Sequence, residues 1–102
     1  NFIFTSNIEL LKINKLYLNH NYYTDVITFN YNEDDLIEGD IFISIDQVRI
    51  NANRYRQKFS YELERIMAHG VLHLVGFDDI DAQDKIEMIK EENCALKILQ
   101  AI

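Results

Sequence analysis

The spacing of apolar positions changes several times along the chain, and each change predicts an element. "NFIFT" alternates apolar residues and reads as a short strand. Leu10, Ile13, Leu16 and Tyr17 then recur at helical spacing, with Ser6 as N-cap and Glu9 three positions on, as in a capping box. "TDVITFNY" is rich in β-branched and aromatic residues and predicts a second strand. An acidic, glycine-ended connection, "NEDDLIEG", leads to "DIFISI", a third strand with Ile41, Ile43 and Ile45 on one side and Phe42 and Ser44 on the other. Asp46 can cap a helix whose face carries Val48, Ala52, Tyr55 and Phe59, and Ser60 can cap the next. Asp81 opens a last helix with Ile86, Ile89, Leu96 and Leu99 as its stripe. Strand, helix, two strands and three helices predict a single α+β domain, a small β-sheet covered by helices.

Within the second-last helix the pattern is broken in one way only. In the stretch from Ile66 to Val75, His69 and His73 are the only polar side chains. Met67, Ala68, Val71, Leu72, Leu74 and Val75 occupy so much of the circumference that the helix should be mostly enclosed. Residues four apart stack about 6 Å from one another on one face. Two buried imidazoles without partners would cost on the order of 2 kcal/mol or more each. A divalent metal ion removes that cost, because neutral imidazole is its commonest nitrogen ligand. Hydrogen-bonded core histidines are the competing reading, and the paired spacing in an apolar helix favours the metal.

A tetrahedral site needs a third protein ligand. Gly70 stands where the HExxH metallopeptidase pattern has its glutamate, so that pattern is incomplete. Downstream, Gly76 lies three residues past His73 and can take the left-handed conformation that ends a helix. The turn returns the chain to the helix flank, where Asp79 occupies the third-ligand position and the adjacent Asp78 competes for it. A carboxylate oxygen is an accepted zinc ligand, and three protein ligands leave a fourth position for water, as in catalytic sites.

Composition changes this picture modestly. The 102 residues suit one core. A single cysteine, Cys94, excludes an intrachain disulfide and a cysteine-based zinc cluster. It fits a small core residue in a protein of a reducing, cytoplasmic compartment. No uncharged apolar run approaches the roughly 20 residues that span a bilayer, and no cationic leader suggests export. The net charge of −7 argues against nonspecific adhesion to nucleic acid. Yet Arg49, Arg54, Arg56, Lys58 and Arg65, set against Glu62 and Glu64, make one window of +3. It is either a solvated helix face or a phosphate-facing rim beside the histidines.

The run "HGVLHLVGFDD" resembles the signature HGxLHLxGYDH of the YbeY family of metal-dependent endoribonucleases. "YTDVITF" is similar to that family's TDVLSF segment, and "GDIFIS" to its GDIxIS strand; the three matches span Thr24 to Asp79 in order. The resemblance implies a zincin-like metal helix. It also implies a ligand set of His69, His73 and Asp79, the family's last histidine being replaced by Asp79. A further N-terminal strand and helix would precede this chain. The arginine that relatives carry ahead of TDVLSF aligns with Leu18, so Arg54, Arg56 or Arg65 would have to meet substrate phosphate instead. Thr24 and Asp25 come with the match, as cleft residues or as the turn that enters the strand. His20 reads as a surface histidine.

The expected protein is thus a zinc-dependent endoribonuclease. The resemblance supplies its substrate, single-stranded RNA, and its setting, ribosomal RNA processing. The sequence offers no obvious general base in place of the missing HExxH glutamate. The rivals are a zincin-like peptidase, against which Gly70 speaks, and a ribosome-associated binding protein with a structural metal.

Overall fold

Ile41 and Ile43 lie two positions apart and so share one face of an extended segment, and the sheet assembles around them. In the computed structural model, which describes residues 1–100, they belong to the central strand β3 (Gly39–Ser44). On one side β3 pairs in parallel with β1 (Phe2–Thr5), in a register running from Phe2↔Ile41 to Thr5↔Ser44. On the other it pairs antiparallel with β2 (Val26–Asn30), from Val26↔Ile43 to Asn30↔Gly39. The order β1-β3-β2 makes β2 an edge strand of a mixed sheet.

Helices cover both faces. Helix α1 (Asn7–Leu18) lies between β1 and β2, and its Tyr17 meets Phe29 edge-on, with ring centroids 5.9 Å apart. Phe29 in turn meets Phe42 at 5.7 Å. On the opposite face, α2 (Ile45–Arg54) and α3 (Phe59–Leu74) pack on the sheet, and α4 (Ala82–Gln100) packs against α3. Ile41, Ile43, Val48, Ile66 and Leu74 are buried together there, with Val26, Phe59, Leu63 and Met67 packed against them. The element order and the α+β class are those expected from the sequence. Among the described residues no helix is long and apolar enough to cross a bilayer.

Several local expectations give way to tertiary context. Ile45 starts α2 instead of ending β3, because Ser44, not Asp46, is the N-cap: its hydroxyl accepts from the Gln47 amide. The Asp46 carboxylate instead accepts the Asn7 amide, tying α2 to the start of α1. Helix α2 stops at Arg54, so Phe59 belongs to α3 and Tyr55 is exposed. Lys58, not Ser60, precedes α3, without a side-chain cap. In α1 the Ser6 cap holds, accepting from the Glu9 amide, but Leu16 and Tyr17 are largely exposed while Leu10 and Asn14 are buried. Helix α4 does begin behind Asp81, whose carboxylate accepts the Asp84 amide. Its buried stripe, however, is Met88, Glu92 and Leu96; Ile86, Ile89 and Leu99 face outward. Cys94 is exposed and not a core residue. Helix α3 is less enclosed than its composition suggests, since Val71 and Val75 are exposed.

Gly70 explains how closely α3 approaches the sheet. It is buried, and a Cβ built there would stand 2.8 Å from Ile41 Cγ2 and 3.1 Å from Ile41 Cδ1. The Gly70→Ala change is therefore expected to destabilise the protein by about 1–3 kcal/mol through overpacking, despite alanine's better helix propensity. Urea denaturation of the variant measures this, and an unchanged midpoint would show that Ile41 simply moves aside.

Candidate metal centre

Ile66, Gly70 and Leu74, spaced four apart, lie against the sheet. His69 and His73 sit one residue earlier in each turn, and about 100° of rotation per residue carries them to the neighbouring stripe. That stripe looks past the edge strand β2 into a cleft. Just beyond, α3 ends in a hydrogen-bonded turn: the Phe77 amide donates to the Leu72 carbonyl and the Gly76 amide to the His73 carbonyl. Gly76 has φ of +107°, in the region a glycine enters at least cost.

The turn brings Asp79 back to the histidines. Asp79 Oδ2 lies 3.4 Å from His69 Nε2, and Oδ1 lies 3.7 Å from His73 Nε2. The two Nε2 atoms are 3.0 Å apart, with the rings edge to face. One ligand atom from each of the three residues falls within 4.8 Å of the other two. Bonds of about 2.0–2.1 Å at tetrahedral angles would separate donors by about 3.3 Å, which these distances bracket. Two imidazole nitrogens and a carboxylate oxygen could hold a metal ion. Asp78, the competing aspartate, lines a separate hollow with Val75, Gly76, Phe77, Asp84 and Glu87.

Sequence reasoning missed the group behind His69. Glu92 of α4 is buried, and its Oε2 lies 2.6 Å from His69 Nδ1. With Nδ1–H donating to Glu92, the ring presents Nε2 to Asp79 and His73, the tautomer that a metal needs. The other Glu92 oxygen accepts from Arg65 Nη1 at 2.6 Å, while Arg65 Nε donates to Glu62 at 3.2 Å. Burial works against a charged His69. The Glu92 hydrogen bond, followed by the charges of Glu92, Asp79 and Asp25, outweighs it and raises the pKa of His69 above the ordinary imidazole value. A sequence signal existed: Met88, Glu92 and Leu96 share one helical stripe, and an acid between two core positions demands a partner.

The cleft has a volume of about 650 Å³, and His69, His73 and Asp79 form one part of its wall. Facing them are residues from the end of α1 and the segment entering β2, including Leu18, His20, Tyr22, Thr24 and Asp25. Asp25 is held by the Asn51 side chain at 3.2 Å and also borders a smaller hollow beside Arg65 and Glu92. Of the three arginines considered for phosphate, Arg65 borders only that smaller hollow and is engaged by Glu62 and Glu92. Arg54 and Arg56 are exposed and line neither space. His20 is exposed, as expected, but stands at the cleft.

Known proteins share this chain's sequence and fold. The family described as Endoribonuclease YbeY matches residues 1–100. The Endoribonuclease YbeY of Azobacteroides pseudotrichonymphae is 46% identical over 99 residues, covering 97% of this chain and 71% of the relative. That of Flavobacterium psychrophilum is 47% identical over 98 residues, covering 96% and 70%. Among solved structures, that of TM1509 from Thermotoga maritima superposes with a TM-score of 0.69 at 28% identity, covering 95% of this chain and 65% of that one. With a family match over nearly its whole length and relatives 46–47% identical, the chain belongs to the YbeY family of endoribonucleases.

Proposed function

We propose that this chain is a zinc-dependent endoribonuclease that cuts single-stranded RNA during ribosomal RNA maturation in the cytoplasm. The observation that carries this reading is the convergence of His69, His73 and Asp79 on an open cleft large enough for a nucleotide, in a member of this family. His69, His73 and Asp79 would hold the ion, which when bound would polarise a phosphoryl oxygen and make water a stronger acid. Asp79 contributes a negative charge that a third imidazole would not. With an ion bound, that charge would offset part of the ion's own and moderate its pull on substrate oxygens.

The protein's own groups do the rest. Glu92 fixes the His69 ring, and Arg65 balances Glu92, so the pair orients a ligand and leaves little of its charge for the substrate. The Asp25 carboxylate, held by Asn51, faces the cleft and can accept a proton from an attacking hydroxyl. Arg54 and Arg56 would meet phosphates of a strand leaving the cleft. A peptidase reading is disfavoured on steric grounds: a glutamate base at position 70 would have to occupy the space of Ile41.

Protein purified without added metal is expected to carry close to one zinc per chain by elemental analysis. Chelation should abolish cleavage of a single-stranded RNA, zinc should restore it, and the same sequence in a duplex should resist. Cleavage that persists in the metal-free protein would overturn this reading.

A further inference from the structure

An acidic protein that acts on RNA needs a source of affinity other than charge. Among the described residues, no lysine or arginine lines the main cleft, whereas Asp25 and Asp79 do. The wall at the end of α1 is the apolar Leu18. Phosphate contacts within the cleft are therefore few, and binding there must come from the bases or the metal.

The same wall carries an ordered aromatic pair. The rings of His20 and Tyr22 are stacked, with centroids 5.1 Å apart and planes 20° from parallel, and Tyr22 Oη lies 3.0 Å from His20 Nδ1. Both residues are exposed, and both line the cleft that holds the metal triad. The backbone on either side is fixed. Asn19 takes a left-handed conformation at the end of α1, and the His20 amide donates to the Asn14 carbonyl. The fully buried Asn14 side chain donates to the Tyr22 carbonyl at 2.9 Å. Immobilising exposed rings on binding ordinarily costs free energy, and these two already brace each other through their stacking and hydrogen bond.

We infer that the His20–Tyr22 pair is a stacking platform for one nucleobase of the RNA strand whose backbone reaches the metal triad. This rests on the RNA-cleaving reading above and names how that substrate is gripped. A base within a duplex has both faces covered by its neighbours, so the platform admits only an unpaired one, which makes the cleft selective for single strands. Stacking is indifferent to base identity, so little sequence preference follows at this position. Because affinity at this position comes from a ring face and not from a phosphate, the platform itself adds no salt dependence.

The test uses the zinc-loaded protein and a short single-stranded RNA with 2-aminopurine scanned through its positions. At one position near the cut, quenching of the probe is expected on binding. Tyr22→Leu, which retains bulk without a ring, should raise the dissociation constant about tenfold, as should His20→Leu, with zinc content and melting temperature unchanged. Tyr22→Phe should bind within about twofold of the parent. An abasic residue at the quenched position should weaken binding to the parent by the same factor and have no further effect on Tyr22→Leu. Parent-like binding by both leucine variants, with zinc-dependent cleavage intact, would overturn the platform and leave the nuclease reading standing. Absence of RNA binding and cleavage by the zinc-loaded parent would overturn both.

Discussion

Replacing Asp79 by alanine is expected to release the metal ion while leaving the metal-free fold nearly untouched. Its carboxylate is the one member of the His69, His73 and Asp79 cluster that is not an imidazole, and its side chain is substantially exposed. Loss of one of three ligands should weaken binding well beyond the roughly 10–100-fold that follows from losing a supporting partner. Asp78→Ala, altering a side chain that lines a different hollow, should bind like the parent. Asp79→His should retain the ion, since the turn at Gly76 already delivers position 79 to the site. Competition against a chromophoric chelator measures all three. Zinc-induced stabilisation should disappear for Asp79→Ala alone, because only a ligand that binds the folded state raises its melting temperature. If Asp78→Ala loses the ion and Asp79→Ala keeps it, the assignment of the third ligand is wrong.

The second large effect belongs to Glu92. Glu92→Leu removes the acceptor for His69 Nδ1–H and one of the two carboxylates that hold Arg65. Metal affinity should fall roughly 10–100-fold, since the imidazole loses the partner that fixes its ring and tautomer. The metal-free protein should also lose on the order of 1–3 kcal/mol, towards the low end because Arg65 is partly exposed and keeps Glu62. Glu92→Gln, which can still accept through its amide oxygen, should recover much of the affinity. Nitrogen-detected NMR of the imidazoles separates orientation from mere stability: His69 should show one tautomer in the parent and a mixture in Glu92→Leu. A single unchanged tautomer, with unchanged zinc affinity, would reduce Glu92 to a packing residue.

What the sequence by itself determined is local. His69 and His73 share a helix face because 3.6 residues make a turn, and Gly76 permits the turn that brings Asp79 back within six residues of His73. A candidate cluster confined to eleven consecutive residues can be read without knowing where the helix packs. The strands were legible for a similar reason, since β-branched runs alternate with period two whatever their partners.

Tertiary structure decided everything that depends on a second element. Glu92 is 23 residues from His69, and its helix looked like an ordinary amphipathic one whose stripe ran through Ile86, Ile89, Leu96 and Leu99. Only the docking of α4 on α3 selected the stripe that carries the carboxylate. Arg65, one of several basic residues in its window, became an internal counter-ion because it stands between Glu62 and Glu92. The reason glycine occupies position 70 is the isoleucine of a strand 29 residues earlier in the chain. The aromatic wall at His20 and Tyr22 faces the histidines because the edge strand that follows it lies alongside α3. Local free energy chooses a helix or a turn from neighbours in sequence, whereas a cleft is made from surfaces whose proximity is set by which apolar faces bury one another.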